Sequence, residues 1–355
     1  MAKECLKPAF LAMAALSVCF VAGCQRVEVY PPDEKPAVKA PIVHYENLAG
    51  ATQHTSFEVG ETLEPCISRS GTTLLFASNR HGPTFDIFAK EIGGETTSQV
   101  TTDPADDRQP SLSPDGGLVA FVSNRKGNWD IFVKSMEPGS PEFQLTTAAS
   151  DDIHPSWSPD GKRIAYCTLN KRNNTWELRI IRLEPKGISI YSPGVEGLFP
   201  EWSPAGGSET ILFQRPRGRV PGLFTLWTVQ SDGRNLTEIL ESTQWATVSP
   251  TWTADGKWMV FSALPSSDAA VRGAGNLFLV RADGRYLTKI GKGAYPQLGA
   301  SCSPDGRIFF TAARGGAKNI WSIRPDYNGL LPAENREESA PEKKTRPAPT
   351  SGKQT

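Results

Sequence analysis

Residues 113–123 read Ser-Pro-Asp-Gly-Gly-Leu-Val-Ala-Phe-Val-Ser, a tight-turn signature followed at once by a short apolar run. In such a turn Pro presets φ, Asp bonds to the local backbone, and Gly supplies the positive φ that rejoins a strand. A short apolar burst bounded by turn residues is typical of a buried strand rather than a helix. The stretch therefore predicts a turn leading into a buried β-strand, with a structural role for its Asp.

The same turn recurs six times along the chain. Its first residue stands at positions 68, 113, 158, 203, 253 and 303, so the spacing is 45 residues three times and then 50 residues twice. A period of about 40 to 50 residues is the mark of a propeller or a solenoid. The six copies are Ser68-Arg69-Ser70-Gly71, Ser113-Pro114-Asp115-Gly116, Ser158-Pro159-Asp160-Gly161, Ser203-Pro204-Ala205-Gly206, Thr253-Ala254-Asp255-Gly256 and Ser303-Pro304-Asp305-Gly306.

Each copy carries several strand-like runs. One short run precedes the turn, one follows it, and another comes after a loop. The first five copies close with a fourth run, centred on Val100, Leu145, Ile190, Leu236 and Leu287. Four strands per repeat make one propeller blade. We therefore predict an all-β fold, a six-bladed β-propeller of four-stranded blades.

The sixth copy has no fourth run of its own, because the chain passes from Trp321 into Pro325 and a polar tail. In the first three copies the closing run is centred 13 residues before the next turn, and the same offset from Ser68 falls at Thr55. We expect residues 53–57 to supply the missing outer strand of the last blade. This N-terminal strand would close the ring and remove its open sheet edges.

The repeats resemble the WD-like Pro-Asp repeats of the TolB family, the periplasmic propeller proteins of the Tol-Pal system. Residues 110–132 and 155–166 carry the likeness most clearly, and it extends over about residues 53–325. The resemblance implies a ring that receives protein partners at the mouth of its central channel. TolB proteins also have an α/β domain ahead of the ring. About 50 residues precede the first repeat here, too few for that domain, so its role is not transferred.

The N-terminus reads as an export signal. Lys3 and Lys7 precede an apolar stretch over residues 9–21, which is too short for a membrane span. The ending Val-Ala-Gly-Cys at 21–24 resembles a bacterial lipobox, so we expect a lipid on Cys24; an ordinary signal with a chance Cys is the alternative. Gln25 stands where an Asp would resemble an inner-membrane retention mark, which favours the outer membrane.

These features divide the chain into four parts. We expect a lipoprotein signal peptide at 1–23, a lipidated Cys with a Pro-rich tether at 24–49, the propeller at 50–327 and a disordered tail at 328–355. Beyond Cys24 the chain has Cys66, Cys167 and Cys302, for which we expect free, buried thiols. Basic and acidic residues balance at 38 each, which argues against nucleic-acid binding by global charge.

Two sets of loops emerge on one face of a propeller: those joining the second strand of a blade to the third, and those joining successive blades. The first set is basic and includes Arg80 and Arg125, whereas the second is partly acidic and includes Asp107 and Asp152. A cationic rim around an acidic mouth favours docking of a charged partner. The alternative is that these loops are polar because they are exposed to solvent. Arg80 would then pair with Asp86, and Arg125 with Asp130, each within its own blade.

Two loops break the regular period, at residues 214–224 and 263–276 in blades four and five. Extra length on adjacent loops favours a binding feature, and chance insertion is the alternative. The arginines there are our first candidates for a partner contact: Arg215, Arg217, Arg219 and Arg272.

Signals for catalysis are weak. The sequence holds no nucleophile elbow, phosphate loop or His-Glu-x-x-His motif, so we expect no catalysis, cofactor or metal. Asp107 and Asp152 each stand three residues before a Pro, which suits a structural hydrogen bond at the start of an inner strand. Paired acids or cation ligands are the alternative for these two residues.

The sequence thus favours a non-catalytic, monomeric propeller of the bacterial cell envelope, anchored by its lipid. Its expected partner is a periplasmic or peptidoglycan-associated protein, within a Tol-Pal-type system. The alternatives are a glycan hydrolase or lyase acting in the channel, and a propeller that binds a small ligand or a glycan there.

Overall fold

The structure is a computed structural model that describes residues 43–45, 50–217, 223–240, 245–265, 276–290, 297–314, 317–327 and 329–330. The regular elements in these ranges are β-strands. None of the described residues belongs to a helix long and apolar enough to cross a membrane. The all-β class expected from the repeat is confirmed.

Six antiparallel sheets follow one another along the chain, and each is one blade. Blades one and two contain β3 (Thr62–Ile67), β4 (Thr73–Ser78), β5 (Asp86–Glu91), β6 (Thr97–Gln99), β7 (Asp107–Leu112), β8 (Leu118–Ser123), β9 (Asp130–Ser135) and β10 (Glu142–Gln144). Blades three and four contain β11 (Asp152–Trp157), β12 (Arg163–Asn170), β13 (Thr175–Glu184), β14 (Gly187–Tyr191), β15 (Leu198–Trp202), β16 (Thr210–Pro216), β17 (Phe224–Gln230) and β18 (Thr237–Leu240). Blades five and six contain β19 (Trp245–Trp252), β20 (Trp258–Pro265), β21 (Asn276–Arg281), β22 (Thr288–Ile290), β23 (Gln297–Cys302), β24 (Ile308–Arg314) and β25 (Ala317–Ile323).

The first strand of each blade contacts the first strand of the next, and β23 contacts β3, so the six blades form a closed ring. Each first strand is therefore an inner strand beside the central channel. The six-bladed propeller predicted from the repeat is confirmed.

The Ser-Pro-Asp-Gly turn connects the first and second strands as its residue types require. In blade two, Ser113 Oγ donates to Asp115 Oδ1 (2.5 Å) and accepts from the Leu118 amide (2.9 Å). Gly116 has φ 75°, which only Gly adopts without strain. The Asp is thus a turn residue, as predicted.

Aromatic side chains fill the space between blades. Phe76, Phe121 and Phe261 are completely buried on the second strands, and each stacks on a Phe of the third strand at centroid distances of 5.7–5.9 Å. The Trp157 indole donates to Ser111 O of the preceding blade (3.0 Å). Burial of these rings is the main stabilisation between neighbouring blades.

An N-terminal strand, β2 (Thr52–Gln53), completes blade six by pairing antiparallel with β25. The contact continues beyond the strand, because Thr55 Oγ1 donates to Asn319 Oδ1 (3.0 Å) and accepts from the Ile320 amide (2.9 Å). Asn319 Oδ1 also accepts from the Phe57 amide (3.1 Å). The predicted closure of the ring is confirmed.

The structure differs from the sequence expectation at two outer edges. A strand β1 (Val43–Tyr45), inside the segment expected to be a tether, pairs parallel with β22 and gives blade five a fifth strand. Two outer strands also end before their predicted centres, since Val100 directly follows β6 and Leu145 directly follows β10. An outer strand is exposed on one side, so its apolar residues mark its position poorly.

Cys66, Cys167 and Cys302 are free thiols, as expected, with Cys167 fully buried and the other two partly buried. The chain divides into a unit over Met1–Pro325 and a second unit over Asp326–Thr355. In the second unit the Gly329 amide donates to Asp326 Oδ1 (3.0 Å).

Candidate docking face

Alternation of strand direction gives the ring two distinct faces. The Ser-Pro-Asp-Gly turns between first and second strands lie on one face, which we call the turn face. The loops between second and third strands and the connections between blades lie on the other, the loop face. Residues 79–85, 124–129 and 171–174 are second-to-third-strand loops of the first three blades.

Every inner strand bulges at the same repeat position, where the register with the second strand shifts. The bulge residues all have φ between 50° and 59°, an unusual conformation for side chains other than Gly. They are Glu64, Gln109, His154, Phe199, Ser249 and Gly299. The sequence analysis missed this feature, although a Pro three residues before the turn in the first five copies marked its position.

The bulges link neighbouring blades around the channel. Glu64 accepts from the Gln109 amide (2.8 Å), and Gln109 accepts from the His154 amide (2.8 Å). The His154 ring in turn stacks on Phe199 with a centroid distance of 3.6 Å. Between blades one and four the wall of the channel is therefore a chain of side-chain contacts.

Charged and ionisable groups lie along this wall. Arg108, 5% exposed, pairs with Glu64 (2.9 Å), and its Nε is buried without a hydrogen-bond partner. Burial lowers the pKa of His154 to about 3, so its ring is neutral at physiological pH, and Nδ1 also lacks a partner. Burial raises the pKa of Glu201 to about 7.

In blade one, the loop arginine has no acidic partner on the inner strand. Arg80 lies over the rings of Phe57 and Phe88, at 4.2 and 5.2 Å from their centroids, and its Nη1 is buried without a hydrogen-bond partner. The inner strand presents the neutral Thr62 at this level. The alternative pairing of Arg80 with Asp86 is wrong: Asp86 accepts hydrogen bonds from side chains of β6 and the residues after it.

In blade two, an arginine and a carboxylate meet at the same two repeat positions. Nη2 of Arg125 donates to both oxygens of Asp107 at 2.9 Å, and Asp107 is completely buried. Arg125 also pairs with Glu142 and lies 4.6 Å from the ring centroid of Phe132. The alternative pairing of Arg125 with Asp130 is therefore wrong. Arg125 does pair within its own blade, but with Asp107 and Glu142.

In blade three, the carboxylate is present and the arginine is not. Asp152 occupies the place of Asp107 and is 2% exposed, but Asn170 stands where blade two has Arg125. Asp152 Oδ1 is buried with no hydrogen-bond partner. Burial raises the pKa of Asp152 to about 6, opposed first by the hydroxyl of Thr168.

Both aspartates stand at the start of an inner strand with hydroxyl groups bonded to the carboxylate, but only Asp107 has a guanidinium in contact. Burial also raises the pKa of Asp107 to about 6, but Ser123 and Arg125 oppose that shift. Asp107 is the more deeply buried carboxylate, so its arginine offsets a larger desolvation. Asp152 has an equivalent hydroxyl, and the charge of Arg179 also lowers its pKa, but no guanidinium is hydrogen-bonded to it.

Several other charged residues of the loop face have partners within the protein. Asp106 and Asp151 accept the backbone amides of Phe85 (2.9 Å) and Trp129 (3.1 Å). Lys318 pairs with Glu61 at 2.8 Å. Part of the expected cationic rim and acidic mouth is therefore bonded within the protein.

Two of the four arginines predicted on the irregular loops are described. Arg215 stacks over the Trp227 ring (5.1 Å), and the Arg217 amide donates to Leu223 O (2.9 Å). Arg219 and Arg272 lie outside the described residues, as does the lipidation candidate Cys24. Partner binding by these residues stays a prediction. Among the described residues, no group of three or more His, Cys, Asp and Glu side chains is arranged to hold a metal ion.

Comparison with known families agrees with this architecture. The model of the TolB beta propeller domain matches residues 37–254. The chain belongs to the TolB beta propeller family. The match covers more than half of the chain, and in the structure the blade pattern continues to Ile323. No curated protein matches the chain at a significant level.

Solved structures show the same fold with different activities. A protein assigned as TolB in Agrobacterium tumefaciens is 18% identical, with a TM-score of 0.55 over 75% of this chain and 91% of the other. TolB from Acinetobacter baumannii is 15% identical, with a TM-score of 0.57 over 73% of this chain and 65% of the other. Oligogalacturonate lyase from Vibrio parahaemolyticus is 13% identical, with a TM-score of 0.55 over 78% and 94%. At these identities the likeness establishes the TolB-type propeller fold and leaves the activity open.

Proposed function

We propose that this chain is a non-catalytic docking propeller of the bacterial cell envelope, a component of a Tol-Pal-type system. On this proposal it is a monomer on the periplasmic side of the outer membrane, held by a lipid on Cys24. Its partner is a periplasmic or peptidoglycan-associated protein that docks on the loop face. Membership of the TolB beta propeller family and the lipobox-like sequence at 21–24 support the proposal.

The observation that carries the proposal is the unequal treatment of equivalent charges on the loop face. Asp107 and Arg125 satisfy each other, whereas Asp152 is buried with one oxygen unpaired and Arg80 has a buried nitrogen unpaired. An unsatisfied buried polar group costs stability. Loops on a rigid scaffold commonly carry binding residues, and charges of this face that lack a partner within the protein favour a charged partner.

Position-specific photo-crosslinking in intact cells tests the docking face. A crosslinking amino acid replaces Lys126, exposed on a loop-face loop of blade two, or Lys162, exposed on the turn face of blade three. We expect one envelope protein to be captured from position 126 and not from the matched position 162. Equal capture from both positions, or none from either, would contradict docking on the loop face.

Labelling with a palmitate analogue tests the anchor. We expect incorporation into the wild-type chain and none into Cys24→Ala, with the variant released from the membrane fraction. Undiminished labelling of Cys24→Ala would refute the lipid anchor and leave the docking proposal standing.

A second function is supported by the wall of the channel. Arg108 pairs with Glu64 and its charge lowers the pKa of His154, and Arg108 and His154 each keep a buried nitrogen without a partner. Ionisable groups with shifted pKa values are typical of functional sites, and the positive charge of Arg108 would suit an acidic glycan as ligand or substrate. Binding or cleavage of oligouronides that is lost in Arg108→Gln, with loop-face crosslinking unchanged, would favour this function over docking.

A further inference from the structure

We propose that the loop face of blade three binds carboxylate groups of the docked protein, in a cavity with a basic wall. The inference rests on the proposed docking function, and it names the chemistry that the partner presents there, an acidic segment. The basic residues near the loops between second and third strands fall into two groups, those held by their own blade and those that remain accessible.

In blades one and two, the arginine of this loop is held by its own blade. Arg80 lies over the rings of Phe57 and Phe88, at 4.2 and 5.2 Å from their centroids. Arg125 donates to both oxygens of Asp107 at 2.9 Å, and its side chain is 14% exposed. These two guanidinium groups therefore serve the scaffold.

In blade three, basic residues of the loop and of β13 line an open cavity instead. The cavity has a volume of about 370 Å³, and three of its lining residues are Lys171, Arg172 and Arg179. Lys171 and Arg172 are exposed, and the side chain of Arg179 is 44% exposed. The positive charges of this wall are therefore accessible from solvent, and the volume is at the lower end of the range of ligand pockets, which suits a side chain.

The acidic residue among the lining residues, Glu177, is already engaged. Its Oε1 accepts from Asn170 Nδ2 at 2.6 Å, and its Oε2 lies 3.8 Å from Arg179 Nη2. An ion pair of this length to a solvent-exposed arginine contributes little. One carboxylate thus faces three cations, and the wall keeps an excess of positive charge.

Among the described residues, Lys171 and Arg172 have no acidic partner. Lys171 Nζ donates to Ala149 O (2.5 Å), which is a neutral group. The Arg172 backbone amide donates to Asn170 Oδ1 (3.0 Å), so this contact does not use the guanidinium. Both charges are therefore available to an acidic group from outside.

The neighbouring acids lie outside the wall of the cavity. Asp152 is 2% exposed, and the charge of Arg179 already acts on it. Asp151 accepts a backbone amide of blade two. Glu196 forms a backbone bridge with Glu177 and is itself exposed, so solvent and salt screen its charge.

Blade two shows which group such a cation binds. Arg125 pairs with two carboxylates, those of Asp107 and Glu142. The planar guanidinium matches a carboxylate through two parallel hydrogen bonds. We expect the docked protein to supply carboxylates to the basic wall of blade three, from neighbouring Asp or Glu side chains.

A short acidic peptide tests the cavity without knowledge of the partner. Acetyl-Glu-Glu-amide is titrated into the full chain, with acetyl-Gln-Gln-amide as the matched neutral ligand. We expect the acidic peptide to bind about tenfold more tightly than the neutral one, and about tenfold less tightly to Arg172→Gln/Arg179→Gln than to wild type. Arg172→Gln alone, a change on an exposed loop, should weaken binding about threefold, whereas Arg172→Lys keeps the charge and should retain it.

Lys126→Gln is the control, because it removes an exposed positive charge from the loop face of blade two and leaves the cavity unchanged. Equal binding of the two peptides by the wild type, or equal losses in Lys126→Gln and Arg172→Gln, would overturn the inference. Tighter binding of inorganic phosphate or digalacturonate than of the acidic peptide would also overturn it, since the preferred ligand would then not be a protein carboxylate.

Photo-crosslinking from position 126 then separates the inference from the function on which it rests. Loss of partner capture in Arg172→Gln/Arg179→Gln, with capture retained in Lys186→Gln at an exposed turn between β13 and β14, supports both. Capture that is unchanged in the double variant overturns the carboxylate site and leaves docking intact. No capture in any background overturns docking, and the peptide titration still decides what the cavity binds.

Discussion

Blades two and three begin from nearly the same sequence pattern and give one buried carboxylate different partners. In blade two, Asp107 is buried against Arg125 and both carboxylate oxygens are satisfied. In blade three, Asp152 is also buried, beside Asn170, and one oxygen has no partner. The ring supplies the same inner-strand position to both carboxylates, but only Asp107 has a guanidinium in contact, whereas the charge of Arg179 acts on Asp152 without a hydrogen bond between them. Blade two therefore completes its ion pair within the scaffold, and blade three leaves one carboxylate oxygen without a donor.

Blade one adds the converse case. Arg80 occupies the position of Arg125, but the inner strand offers Thr62 in place of an aspartate, and the guanidinium rests on two phenylalanine rings. The three blades thus show a cation without its acid, a complete pair, and an acid without its cation. The predictions below break or complete these pairs.

The largest effect is expected from breaking the complete pair. Arg125→Ala leaves the buried Asp107 without its cation and should lower the free energy of unfolding by about 3–5 kcal/mol, since a lone buried charge is costly. Asn170→Ala, the matched change in blade three, should cost less than about 1 kcal/mol because no ion pair is lost. Urea denaturation measures both variants. Similar losses of unfolding free energy in the two variants would contradict the distinction between the blades.

Completing the pair in blade one should give a smaller, measurable coupling. Thr62→Asp places a carboxylate opposite Arg80, so the two residues should couple favourably by about 1–3 kcal/mol. The measurement is a double-mutant cycle with Thr62→Asp, Arg80→Ala and the double variant. A coupling near zero would show that Arg80 is held by its aromatic contacts and cannot reach the inner strand.

Removing the unmatched charge of blade three should stabilise the protein in a pH-dependent way. The pKa of Asp152 is raised to about 6 in the folded state, above the value of about 4 for an unfolded chain. The folded state therefore binds this proton more tightly, and stability from this group is lost as pH rises from about 4 to 6.

Asp152→Asn should accordingly gain about 1–2 kcal/mol at pH 7 relative to wild type. The gain should shrink as pH falls and approach zero below about pH 3, where the aspartate is protonated in both states. Thermal melts of the two proteins across this range provide the measurement. A gain that is independent of pH would mean that the carboxylate is not the cause.

Much of this fold could be predicted from the sequence because local turn chemistry and a fixed period act together. The Ser-Pro-Asp-Gly copies located the hairpins, and the offset from Ser68 located the closing contact at Thr55. The predicted positions of the outer strands were less accurate, and the pairing of β1 with β22 was missed, because edge strands carry a weak apolar pattern.

The site was only partly predictable. Asp107 and Asp152 were singled out by their matching positions, but their different partners depend on how residues 124–129 and 171–174 fold back over the inner strands. Aligning Arg80, Arg125 and Asn170 in the repeat would have exposed the missing cation. The bulge at Glu64 and its equivalents was missed, although the Pro that directly follows it in the first five copies marks its position.

The most direct test of the account is a carboxyl ¹³C NMR titration of Asp107 and Asp152 in the wild type, Arg125→Ala and Asn170→Arg. We expect Asp152 to titrate well above an exposed aspartate in the wild type and to shift downward in Asn170→Arg. Asp107 should shift upward in Arg125→Ala, so that each variant gives one blade the electrostatics of the other. An Asp152 pKa in the ordinary range in the wild type, or one that does not move in Asn170→Arg, would contradict the claim that blade three buries a carboxylate without the guanidinium contact of blade two.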